Sequence, residues 1–66
     1  MASQTVEELY DRLEEFSAIL IAAELHASGE WEIEFTDNMR ASFNRHGPRT
    51  NLSPAQRQSL ERIAKH

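Results

Sequence analysis

The chain has 66 residues, with eleven acidic and seven basic side chains, three histidines, no cysteine and a net charge of −4. A chain this short buries only about 60% of its unfolded surface, so its core is marginal and a further support is expected. The absence of cysteine excludes disulfides and removes the usual structural zinc ligands, which leaves self-association.

His26, His46 and His66 stand twenty residues apart and share no ligand spacing, so neither a metal nor a cofactor is expected. The first eighteen residues hold six charges and no apolar core segment, unlike a signal peptide. The longest apolar run, AILIAA at 18–23, is far short of the roughly 20 residues that cross a bilayer. One soluble, cytoplasmic domain spanning 1–66, without membrane contact, is the expectation. Charge is unevenly placed. Residues 1–37 carry ten acids against Arg12, a net of −9, and residues 38–66 carry six bases against Glu61, a net of +5. Such asymmetry signals either a binding surface or two halves that fold against each other.

The first element opens with Thr5-Val6-Glu7-Glu8, a capping box in which Glu8 reaches back to the Thr5 N–H. Apolar residues follow at Val6, Leu9, Leu13, Phe16, Leu20, Ala23 and Ala27, alternating three and four apart. This spacing predicts one unbroken helix over about 5–28, roughly 34 Å long, with Glu8 and Arg12 as an i,i+4 pair and Gly29 as its left-handed end. Leu9, Leu13, Phe16 and Leu20 form a seam that suits a homodimer. Ala18, Ile21 and Leu25 add a second apolar stripe, more than one core face needs.

The stretch GEWEIEFTDNMRASF, 29–43, alternates like a strand at its start, yet Trp31, Phe35, Met39 and Phe43 recur every four residues. No second strand pattern offers a partner, so a second helix over about 30–45 is predicted, with that quartet packed on the first helix. Glutamates at its start and Arg40 and Arg45 at its end suit its own dipole. Ile33 fits poorly, lying about 200° round from Trp31. Gly47 stops this helix, and after the loop HGPRTN and Leu52 comes Ser53-Pro54-Ala55-Gln56, with Ser53 as N-cap, Pro54 in the first turn and Gln56 closing a capping box. Leu60, Ile63 and Ala64 give helical spacing, so a third helix is predicted over about 54–65. The fold class is all-α: one long helix and two shorter ones in a three-helix arrangement, expected to be dimeric.

Trp31, Glu32 and Phe35, followed by Leu52, Ser53, Gln56, Leu60 and Ile63, spell WE-x-x-F and then L-S-x-x-Q-x-x-x-L. This resembles a short helical segment of small phage- and plasmid-borne proteins of poorly defined function. The resemblance covers about half the chain, implies an origin on a mobile element, and carries no catalytic residues.

No enzymatic constellation is present. Glu30, Glu32 and Glu34 lack the pocket and partner that general acid–base work needs, Ser53 is explained as an N-cap, and no phosphate loop or HExxH occurs. No catalytic residue is expected. The surplus stripe, with Ile21 and Leu25, lies on a helix whose polar face carries Glu7, Asp11, Glu14 and Glu15. Apolar surface rimmed by charge marks a protein-binding site, so a small inhibitor or adaptor acting on a host or defence protein is the leading expectation. The alternative is a nucleic-acid-binding regulator. There the second and third helices form a helix-turn-helix-like pair, with Arg40, Arg45, Arg49, Gln56 and Arg57 as contacts.

Overall fold

A computed structural model describes residues 3–65; Met1, Ala2 and His66 lie outside the described residues. The chain order is β1 (Gln4–Thr5), α1 (Val6–Leu9), α2 (Leu13–His26), α3 (Gly29–His46), a 3-10 turn (Gly47–Arg49), β2 (Asn51–Leu52) and α4 (Pro54–Lys65). The fold is mostly helical, as expected. It departs from expectation at the N-terminal helix and in a two-stranded antiparallel ribbon, where Gln4 pairs with Leu52 and Thr5 with Asn51.

The single helix over 5–28 does not form. Its start does: the Thr5 N–H donates to Glu8 Oε1 at 2.8 Å and the Thr5 hydroxyl lies 3.0 Å from the same oxygen. After one turn, closed by the Tyr10 N–H on the Val6 carbonyl at 3.0 Å, the backbone becomes extended at Tyr10 (φ −129°, ψ 136°) and again at Arg12 (φ −129°, ψ 137°). Arg12 is therefore outside α1, and the i,i+4 spacing expected to pair it with Glu8 is not helical. The cause is tertiary: the first turn is tied to the loop before α4, where the Val6 N–H donates to the Thr50 carbonyl at 2.9 Å. The break also turns Tyr10 inward, 8% exposed, with its ring centroid 5.7 Å from that of Phe16.

α2 packs chiefly on α4, and on α3. Phe16, Leu20 and Ala23 of α2 meet Val6, Tyr10, Met39, Leu52, Leu60 and Ile63 in one core. Phe43 is partly buried and meets Phe16 edge-on at 5.0 Å between centroids. The expected dimer seam is thereby corrected. Phe16 and Leu20 are fully buried inside the chain, Leu9 is half-buried, and only Leu13 remains exposed, at 43%. The heptad spacing was that of an intramolecular core stripe.

α3 spans the expected segment, and its acids do come first (Glu30, Glu32) and its bases last (Arg45, His46). Its buried line, however, runs through Thr36 and Met39. Trp31 lies five residues before Thr36, about 140° round the helix at 100° per residue, and is 60% exposed rather than in the core. Thr36 tolerates burial because its hydroxyl, 3.0 Å from the Glu32 carbonyl and 3.1 Å from that of Ile33, is satisfied within its own helix.

α4 matches its predicted bounds, with both halves of the capping box formed. The Gln56 N–H donates to Ser53 Oγ at 3.1 Å and the Ser53 N–H to Gln56 Oε1 at 2.9 Å. Gly47 ends α3 at φ 57°, ψ −129°, a conformation open essentially to glycine. The following turn buries Thr50, whose hydroxyl bonds the Gly47 carbonyl at 2.8 Å, and the Thr50 carbonyl accepts the Val6 N–H at 2.9 Å. The ribbon and this bond tie the N-terminus to the entry of α4.

Candidate partner-binding surface

The residues proposed from sequence fall into two groups. Glu7, Asp11, Glu14, Glu15, Ile21 and Leu25 are all exposed, Leu25 at 77% and Ile21 at 48%. The break after Leu9 separates Glu7 from the rest, so the acidic face is not one helix face; Glu14 and Glu15 keep their place in the first turn of α2. On α2, Ala18, Ile21, Ala22 and Leu25 are spaced i, i+3, i+4 and i+7, one apolar stripe pointing away from the buried Phe16–Leu20–Ala23 line.

Beside that stripe runs a groove of about 440 Å³ between α2 and α4, with Ala18, Ile19, Ala22 and Ala64 as its apolar walls and Glu61 and Lys65 at its edge. Tyr10, just before α2, touches the middle of α4 through Glu61, and His26, at the end of α2, places Nδ1 3.0 Å from the Ala64 carbonyl.

The exposed large hydrophobics among the described residues are Leu13, Ile21, Leu25, Trp31 and Ile33. All five lie within residues 13–37. That same segment holds Glu14, Glu15, Glu24, Glu30, Glu32, Glu34 and Asp37, and no lysine or arginine. Exposed large hydrophobics and acids thus share one stretch of the sequence, and among the described residues the basic half contributes none of the exposed large hydrophobics. Trp31 is the member that sequence reasoning placed wrongly. The clue was the choice of helical phase: aligning the face on Thr36 and Met39 turns Trp31 outward.

Of the alternative nucleic-acid contacts, Arg40 and Arg57 are engaged inside the chain. Arg40 forms a two-point pair with Glu24, Nη2 to Oε1 at 2.6 Å and Nε to Oε2 at 3.0 Å. The hydrogen bond from Arg40 outweighs partial desolvation and holds the Glu24 carboxyl below the usual carboxylate range. Arg57 lies 5.2 Å from the Tyr10 ring centroid and donates from Nε to Glu61 Oε2 at 3.2 Å. The Tyr10 hydroxyl donates to that same oxygen at 3.2 Å, and burial raises the phenol pKa. Gln56 is exposed, with its Oε1 occupied by the cap. Arg45 and Arg49 are exposed.

No group of acids and histidines among the described residues is arranged to hold a metal, and no helix among them is long and apolar enough to cross a membrane. Comparison with protein families, characterised proteins and solved structures finds no match.

Proposed function

We propose that the chain is a non-enzymatic protein-binding module, an adaptor or inhibitor of the kind carried by mobile elements. It docks through the outer face of α2 and the start of α3. One observation carries the reading: Ile21 and Leu25 on α2 and Trp31 on α3 are exposed within residues 13–37, a stretch with seven acids, of which Glu24 is paired with Arg40, and no lysine or arginine. The complementary partner is apolar with a basic rim. Apolar contacts supply affinity, while the acids steer the encounter and reject acidic surfaces.

The partner is a different protein rather than a second copy. The basic half of another copy offers none of the exposed large hydrophobics seen among the described residues, and an isologous pairing, the same patch on both copies, would set this acid-rich stretch against itself. Calorimetric titration with an amphipathic helical peptide of leucine and lysine tests the reading. The chain binds that peptide and not its leucine/glutamate counterpart, and Leu25→Ser with Ile21→Ser weakens binding at least tenfold, about 1.4 kcal/mol. Equal binding of both peptides, or of neither, refutes it.

A second reading rests on the exposed Arg45, Arg49, Arg62 and Lys65, which could contact phosphate. It loses Arg40 and Arg57 to internal pairs. Fluorescence anisotropy with labelled duplex at low salt tests it, since phosphate contacts make binding strongly salt-dependent. Absence of binding at low salt removes it.

A further inference from the structure

Trp31 is the most polarisable exposed group of the molecule, and its surroundings are specific. Its ring lies 5.2 Å from that of Phe35 with only 5° between the planes, an offset stack in which the phenyl ring lies parallel to the indole and overlaps it only in part. The side chain is nevertheless 60% exposed. Glu34 stands one turn along the helix, where i,i+3 residues are adjacent, and it is exposed.

The chain shows elsewhere what completes such a set. At Tyr10, an aromatic ring, the Glu61 carboxylate and the Arg57 guanidinium stand together: the guanidinium lies 5.2 Å from the ring centroid, and its Nε donates to the carboxylate at 3.2 Å. At Trp31 the ring and the Glu34 carboxylate are present, whereas the cation–ring contact seen among the described residues is that of Arg57 on Tyr10.

We infer that Trp31 and Phe35 form a shelf for an arginine side chain of the docked partner, with the guanidinium stacked on the open face of the indole and Glu34 accepting its N–H groups. A planar, weakly hydrated guanidinium suits this geometry better than a compact ammonium, and tryptophan is the best aromatic acceptor of a cation. The inference rests on the protein-binding reading and specifies the chemistry of that partner.

The test uses three amphipathic helical peptides identical except at one exposed flank position, which carries arginine, its neutral isostere citrulline, or leucine. Each is titrated into the wild-type chain and into Trp31→Leu, with far-UV circular dichroism to confirm that the variant folds. In the wild-type chain the arginine peptide binds about two- to fivefold tighter than the citrulline peptide, the range for a cation over an exposed ring, and the emission of Trp31, the only tryptophan, shifts. In Trp31→Leu that preference falls to the small residue left by general charge attraction. The same preference in both proteins overturns the shelf. If the peptides bind and respond to Leu25→Ser but not to Trp31→Leu, the shelf fails and the docking reading stands. If none of the peptides binds, both fall.

Discussion

Phe16→Leu is the sharpest probe of the fold. Phe16 is fully buried and contacts two rings, Tyr10 at 5.7 Å and Phe43 at 5.0 Å between centroids. Leucine keeps the hydrophobicity but removes both aromatic pairs, worth about 0.5–1.5 kcal/mol each. The expected loss is about 2 kcal/mol. A domain of this size has only about 3–10 kcal/mol in all at 0.05–0.15 kcal/mol per residue, so the variant stays folded with a large part of its stability gone. With a urea slope of roughly 1 kcal/mol per molar, the midpoint falls by about 2 M. Urea denaturation followed by circular dichroism, at low and at high micromolar protein, makes the measurement. The shift is the same at both concentrations, because Phe16 packs within the chain. A negligible shift, or a wild-type midpoint that rises with protein concentration, refutes the core assignment and restores Phe16 to an intermolecular seam.

Ser53→Ala removes the cap that opens α4 and costs about 1 kcal/mol, read as a lowered melting temperature. Gly47→Ala forces a side chain into a left-handed conformation (φ 57°) and costs about 1–3 kcal/mol, whereas Ala18→Ser on the exposed stripe stays within about 0.5 kcal/mol. Glu24 has its carboxyl lowered from 4.5 by the hydrogen bond from Arg40. Its contribution is therefore fully present above 4.5 and is lost as pH falls through the lowered folded-state value. For a pair whose side chains are about 30% exposed, that contribution is about 0.2–1 kcal/mol. The stability difference between wild type and Glu24→Gln accordingly vanishes well below pH 4.5; a difference that persists there contradicts the pairing.

Elements with explicit stop and start chemistry were legible in the sequence. Ser53, Pro54 and Gln56 mark the start of α4, and Gly47 ends α3, because caps depend on residues within a few positions of one another. The break at Tyr10–Arg12 was not legible. Nothing between 5 and 28 is a glycine or proline, and the interruption comes from tertiary demands: the inward turn of Tyr10 and the tie between Val6 and Thr50. The ribbon escaped notice because two-residue strands carry no alternation to detect. Seven apolar residues at regular heptad spacing read equally well as a coiled-coil seam and as a core stripe, and only the position of α4 decides between them.

The candidate surface was legible in part. Ile21 and Leu25 stood out as surplus to one core face, and the structure leaves both exposed. Trp31 was drawn inward by its four-residue spacing with Phe35, Met39 and Phe43, although Thr36, a polar residue with a hydroxyl satisfied by its own helix, sets the phase of α3. The engagement of Arg40 with Glu24, sixteen residues apart, and of Arg57 with Tyr10 needed the three-dimensional fold. Part of the charge asymmetry is thus internal pairing, and the unpaired remainder is concentrated beside exposed apolar side chains.

The proposed docking surface, built on Ile21 and Leu25 of α2 and Trp31 of α3, takes an apolar partner with a basic rim. Two-dimensional amide NMR of the chain titrated with the leucine/lysine helical peptide tests it most directly. Shifted resonances are expected to cluster at Ala18, Ile21, Ala22 and Leu25 and around Trp31, including its indole N–H. Shifts confined to Arg45, Arg49, Arg62 and their neighbours, or a spectrum unmoved by the peptide but altered by duplex DNA, would contradict it.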